Sequence, residues 1–377
     1  MIFLTIFILC VIFYTIKFLI RQEKENNRPL ELCISSYTNN QDLPQDILGN
    51  KSFENPSTIN VKIKDNNVDT NRIIAYTGNG IRKFEFRPQT WEQFIAQDEA
   101  KKQAQTIIKK VNRGIRGHFI LGGLKGCGKT TFVELFAKSI HARLFSYIGR
   151  QINEDIIPDI INEINQSTEK NVVLFVDEID TADWKCLKIF NPIIEQFKIN
   201  DKAVKPFIFA SATINRHLLI KNNPDLLDRI EHSISFVRYT ADNLSTILNQ
   251  YKQQLYEEDN ITPDTIYTIA TSCKYTPRIA ISLLEDFVVE QNIKQVLDNR
   301  HITVEGLDMF DIKVLDKLSV SKRALGSNAL ALQIGISEQS YLREIEPYLL
   351  EFGYIQRVPS RIITLKGLEI LKQIKEK

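Results

Sequence analysis

The chain has 377 residues, 43% hydrophobic and 25% charged, the balance of a folded protein with room for two or three domains. Its net charge of +2 excludes a globally basic nucleic-acid binder, so any basic surface has to be local. Five cysteines (Cys10, Cys33, Cys127, Cys186, Cys273) are scattered with no Cys-x-x-Cys pair, which excludes a zinc ribbon or a disulfide framework and fits a reducing compartment.

Residues 2–20 are apolar apart from Lys17. At 1.5 Å per residue such a helix covers about 30 Å of hydrocarbon. The segment lacks the basic start and small-residue cleavage site of a signal peptide. It is expected to span a membrane once, as an anchor over residues 1–20. Arg21, Lys24 and Arg28 follow it and no basic residue precedes it, which places the rest of the chain on the cytoplasmic side. Residues 21–80 are rich in Asn, Asp, Ser, Thr and Gln and read as a polar spacer, with weak strand patterns at 59–63 and 72–76.

The texture changes near Arg87-Pro88. Residues 92–111 have the pattern of a helix, and Phe119-Ile-Leu121 reads as a buried strand. Then comes Gly123-x-x-Gly126-Cys127-Gly128-Lys129-Thr130, followed by apolar residues at helical spacing. Strand, glycine loop and helix together form a phosphate-binding context. The glycines let backbone N–H groups turn around a polyphosphate at a helix N-terminus, which favours anions. Lys129 is expected to reach the β and γ phosphates, and Thr130 to offer its hydroxyl to Mg²⁺. Cys127 reads as a small residue filling a variable loop position.

A second short strand is expected at 144–147 and a continuous apolar one at 172–176. The latter ends in Asp177-Glu178, at the strand edge where open α/β sheets place ligand chemistry. Asp177 is suited to order the Mg²⁺ shell and Glu178 to orient the attacking water. Residues 206–213 form a further buried strand ending in Thr213. That hydroxyl is placed for the γ-phosphate, for the water, or for a strand-end backbone group. Arg229 closes a short helix. Residues 239–300 are helical throughout and form a lid, in which Pro277 opens a helix carrying Arg278. Residues 301–377 hold helices near 308–319, 326–334 and 337–352, a hairpin over 353–364 and a closing helix. That is a winged helix, with Arg357, Arg361 and Lys366 gathered at the hairpin for phosphate contact. The fold class is therefore α/β: a P-loop NTPase with a parallel sheet over 81–238, a helical lid, and a winged-helix module.

From Arg87 onward the chain resembles the RuvB family of hexameric AAA+ motors, which drive branch migration of Holliday junctions. Arg87-Pro88 with Phe94-Ile-Ala-Gln97 is similar to the family's opening motif. Ala212-Thr213 with Leu218-Leu219 is similar to sensor 1, and Leu227-Asp228-Arg229 to the arginine-finger segment. Tyr275-Thr-Pro-Arg278-Ile-Ala resembles sensor 2. Gly306-Leu-Asp308-x-x-Asp311 and Ile345-Glu-Pro-Tyr-Leu349 resemble the winged helix. The resemblance implies an ATPase using ATP and Mg²⁺ in a hexameric ring, acting on duplex or four-way-junction DNA. It implies that Phe86, Arg87, Gly123, Gly126, Gly128, Lys129, Thr130, Thr131, Tyr239 and Arg278 hold the nucleotide, with Thr130 and Asp177 at the metal. Lys129, Asp177, Glu178, Thr213, Arg278 and a neighbour's Arg229 would serve hydrolysis, and Arg357 and Arg361 would hold DNA backbone.

There are departures. The long hairpin by which the family grips its partner RuvA is reduced to residues 198–205, which puts a RuvA-type partner in question. The wing is one residue shorter and has lost an arginine, and the glycine before Thr-Pro-Arg is Tyr275. The anchor and spacer are not part of the family pattern. Alternatives to the DNA motor are a membrane-tethered ATPase that remodels a protein client, and a nucleotide-dependent scaffold.

Overall fold

A computed structural model describes residues 74–77, 80–83, 86–199, 202–214, 219, 223–321 and 323–376. The expected membrane span at 2–20 lies outside them, as does most of the expected spacer. No helix among the described residues is long and apolar enough to cross a membrane. At the end of the spacer stretch, β1 (Ile74–Thr77) and β2 (Gly80–Lys83) pair antiparallel.

The ATPase core is a five-stranded sheet. Its strands are β3 (Phe119–Gly122), β4 (Ala142–Ile148), β5 (Asn171–Asp177), β8 (Ile208–Thr213) and β9 (His232–Ser235), in the order β4-β5-β8-β3-β9. Every pairing is parallel. Residues Val172 to Val176 are all buried. Val173 and Phe175 enter the apolar cluster on one face, and Val172, Leu174 and Val176 the cluster on the other. This is the period-2 alternation of a strand covered on both sides. The register sets Gly122 opposite Thr213 and Ile148 opposite Asp177. The phosphate loop, the acidic pair and Thr213 therefore leave the sheet at one edge.

The helix expected over 92–111 begins later, as α1 (Asp98–Asn112). Ala96 and Gln97 have left-handed backbones, which stops the helix from extending backwards. The Gln97 amide donates to the Val237 carbonyl at 2.7 Å and accepts from the Val237 N–H at 3.1 Å, pinning the entry segment beside β9. The phosphate-loop helix is α2 (Lys129–Ser139), and α3 (Ile156–Gln166) and α4 (Trp184–Gln196) cover the opposite face. Between α4 and β8, two-residue strands β6 (Lys198–Ile199) and β7 (Lys202–Ala203) form only a stub of a hairpin. A short helix α5 (Pro224–Asp228) precedes β9.

The lid comprises α6 (Ala241–Leu255), α7 (Pro263–Ser272), α8 (Pro277–Glu290) and α9 (Ile293–Asn299). The winged helix contains α10 (Met309–Val320) and α11 (Ser327–Ile334). Its third helix is broken in register: Glu338–Ser340, a π turn at Tyr341–Ile345, then α12 (Glu346–Glu351). The wing strands β10 (Ile355–Val358) and β11 (Ser360–Ile363) and the helix α13 (Leu365–Glu376) close the module around Leu315, Tyr341, Tyr348 and Leu349.

Lid and winged helix meet at the residues that opened both motifs. Lys274 pairs with Asp308 at 2.6 Å and Asp311 at 2.5 Å. Tyr275 has a left-handed backbone, φ 54°, the conformation a glycine would take without strain. Its ring stacks on Phe352 at 5.2 Å with the planes 8° apart. Tyrosine at this glycine-favouring position gains a contact that joins the two domains.

Candidate ATP site

The phosphate loop is built around glycines that no other residue replaces easily. A Cβ at Gly126 would come within 2.8 Å of Arg278 Cβ, and one at Gly128 within 3.1 Å of the Phe94 ring; both positions have left-handed backbones. The lid is thus seated directly on the loop, and the Arg278 N–H reaches the Gly126 carbonyl at 3.4 Å. Lys129 is buried, and its Nζ donates to the carbonyls of Gly123 at 2.8 Å and Leu124 at 2.7 Å. The amine is thus held against the loop backbone. Thr130 and Thr131 occupy the first turn of α2.

Thr130 Oγ1 donates to Asp177 Oδ2 at 3.2 Å. The other oxygen of Asp177 accepts from the Glu178 N–H at 2.9 Å, which fixes the carboxylate plane. A hydroxyl and a carboxylate oxygen side by side beneath a polyphosphate loop are the hard oxygen donors that suit Mg²⁺. The cradle and this donor pair fit ATP with Mg²⁺, which Thr130 and Asp177 would hold. Glu178 has a left-handed backbone, φ 48°. Non-glycine residues persist there when their surroundings over-determine the conformation.

Other expected nucleotide residues brace the loop. Tyr239 is buried, and its hydroxyl donates to the Cys127 carbonyl at 3.1 Å. Burial pushes its phenol well above the usual range, so it stays a donor. Burial also raises the Cys127 thiol, which donates to the Leu124 carbonyl at 2.8 Å; the residue fills space and is not a reactive thiolate. Arg87 pairs with Glu134 of α2 at 2.7 Å, and Phe86 packs edge-on against Tyr251 of the lid.

Thr213 is buried at the end of β8, and its hydroxyl donates to Asp180 at 2.8 Å. The other Asp180 oxygen accepts from Arg343 of the winged helix at 3.2 Å. Arg229 stands at the end of α5, held by Glu195 at 3.0 Å and the Asp225 carbonyl at 2.6 Å. No hydrogen bond among the described residues joins it to the phosphate loop of its own chain.

Of the two arginines expected on DNA, Arg357 is exposed on β10. Arg361 stands differently. It is 5% exposed, and its guanidinium makes a two-pronged pair with Glu346, one contact at 3.1 Å. Its positive charge is consumed inside the module.

Sequence reasoning did not single out Asp180, Arg343, Lys274 or Glu346, nor the role of Gln97. Each acts through a partner far along the chain, which leaves no local pattern.

Residues 86–206 match the family described as the Holliday junction DNA helicase RuvB P-loop domain, and residues 304–372 match the RuvB C-terminal winged helix domain. The Holliday junction branch migration complex subunit RuvB of Mycoplasma genitalium is 29% identical over 305 residues, covering 75% of this chain and 97% of that one. Its counterpart from Ureaplasma urealyticum is 29% identical over 308 residues, covering 76% and 96%. A solved structure of the Thermotoga maritima RuvB Holliday junction branch migration motor matches with a TM-score of 0.67 and 27% identity, covering 76% of this chain and 98% of that one. Taken with the geometry of the phosphate loop and of Thr130 and Asp177, these similarities make the chain a RuvB-like P-loop ATPase with a winged helix, using ATP and Mg²⁺.

Proposed function

We propose that this chain is an ATP-driven DNA motor that works on duplex or four-way-junction DNA as a ring of like subunits, held at a membrane through residues 2–20 with the ATPase in the cytoplasm. The observation that carries the DNA reading is the co-occurrence, in order, of a RuvB P-loop domain and a RuvB winged helix, matched over 97% of a RuvB subunit's length. The half-buried position of Arg229 at the end of a short helix, held by Glu195, supports a ring. An arginine there serves a neighbour's γ-phosphate, a contact worth roughly 10³-fold or more in rate.

Within one subunit the division of labour follows from the contacts. Lys129 and the loop N–H groups would neutralise phosphate charge, and Thr130 and Asp177 would hold Mg²⁺. Glu178 turns the attacking water toward phosphorus. Arg278, seated on Gly126, transmits loop position to the lid. The lid transmits it to the winged helix through Lys274 with Asp308 and Asp311.

The test is conversion of a labelled four-way junction into its duplex products by the full chain. The reading predicts ATP-dependent conversion that Glu178→Gln abolishes. Membrane attachment is tested separately: full-length protein that washes off membranes in carbonate is not held by residues 2–20. A protein client is the second reading, favoured by the hairpin stub at β6–β7 and the withdrawal of Arg361 from the wing surface. It takes precedence where neither junction nor duplex DNA affects the enzyme.

A further inference from the structure

We infer that Asp180 is a positioning residue that fixes the hydrogen-bond polarity of Thr213, and that it does so only while Arg343 of the winged helix is seated against it. Asp180 lies two residues beyond Glu178, in the turn Ile179–Thr181, and its side chain is 1% exposed. A carboxylate so buried is costly unless its charge is paired and its oxygens are hydrogen-bonded. Here one oxygen accepts from Thr213 at 2.8 Å and the other from Arg343 at 3.2 Å. Thr213 and Arg343 approach from different domains, and Asp180 connects them.

The chemistry follows from counting hydrogens. A carboxylate only accepts, and a threonine hydroxyl has one hydrogen to give. With that hydrogen committed to Asp180, the Thr213 oxygen acts toward any other group as an acceptor. Toward an attacking water it is therefore an acceptor, and it does not donate to the γ-phosphate. The Glu178 carboxylate is an acceptor for the same water. A water whose hydrogens go to two acceptors turns a lone pair toward phosphorus, the orientation that attack requires. This selects between the roles open to Thr213 at the strand end.

Arg343 makes the arrangement conditional. It sits in the π turn of the third winged-helix helix, the element a winged helix offers to a duplex groove. Displacing that helix takes the counter-charge from the second Asp180 oxygen, and the carboxylate that accepts from Thr213 is no longer held in place. Winged-helix seating is thereby read at the site of hydrolysis. The inference rests on the ATP site and not on the DNA reading, because its readout is basal hydrolysis.

The experiment is a double-mutant cycle in the full chain, measuring kcat and KM for ATP without DNA. Arg343→Ala lowers kcat roughly tenfold and leaves KM within about twofold, the pattern of a lost transition-state arrangement. Arg343→Lys recovers most of the rate. In a Thr213→Val or Asp180→Asn chain, Arg343→Ala has less than about a twofold further effect, because the pathway is already cut. Where Arg343→Ala does not fold, Arg343→Gln reads the same cycle. An equal fold-loss in both backgrounds, a rise in KM with kcat unchanged, or no effect of removing Arg343 overturns the inference.

Discussion

The backbone carbonyl of Glu178 lies against Gly149, where an added Cβ would stand 2.3 Å from that oxygen. The same carbonyl accepts from the Thr181 N–H and from the Thr181 hydroxyl, each at 2.8 Å. The left-handed backbone of Glu178 is held from three sides by these contacts. Gly149→Ala is therefore expected to push the carboxylate out of line and lower kcat about a hundredfold, the cost of an ångström-scale misplacement. Binding of ATP, followed by fluorescence with a labelled nucleotide, is expected to be unaffected.

Lys129 and Glu178 should separate binding from chemistry. Lys129→Ala removes the amine held against the loop backbone and is expected to weaken ATP binding itself. Glu178→Gln keeps the shape and removes the carboxylate proposed to orient water. It is expected to bind ATP normally and to lose on the order of 10²-fold or more in kcat. Equilibrium binding and single-turnover hydrolysis of both variants check this.

The two wing arginines should fail in different ways. Arg361→Ala leaves Glu346 buried without its partner and is expected to destabilise the protein by roughly 3–5 kcal/mol. Arg357→Ala should leave the melting temperature unchanged, weaken DNA binding and reduce its salt slope by about one. Thermal melts and salt-dependent DNA titrations decide both.

That contrast shows what the sequence carried. The phosphate loop, the apolar strand ending in Asp177-Glu178, and the Thr-Pro-Arg helix start were legible because each is a local pattern with a fixed chemical purpose. The winged helix was legible from its spacing and its motifs. In sequence, however, Arg357 and Arg361 are indistinguishable, since nothing nearby announces that Glu346 sits beneath one of them. Asp180 carries no local signal, since its partners are 33 and 163 residues away. The late start of α1 was hidden for the same reason, since the Gln97 side chain is spent on Val237, 140 residues on.

The latch between lid and winged helix should respond to pH. Asp311 is fully buried, and burial pushes its carboxyl from 3.8 up to about 6, more than the Lys274 ammonium beside it offsets. Between those values the folded state holds a proton that the unfolded chain has released. The contribution of this group to stability is thus complete below about pH 4 and is lost as pH rises through 6. The stability difference between wild type and Asp311→Asn is expected to be larger at pH 4 than at pH 7. A difference constant over that range would show that Asp311 does not titrate within it.

In the proposed motor, hydrolysis at this site is harnessed to DNA. Its direct measurement is the steady-state ATPase rate of the full chain with and without duplex and four-way-junction DNA. At least one of these DNAs is expected to raise kcat several-fold, and Glu178→Gln to show no such rise. A wild-type rate that neither DNA changes, at low salt and saturating ATP, would contradict that coupling.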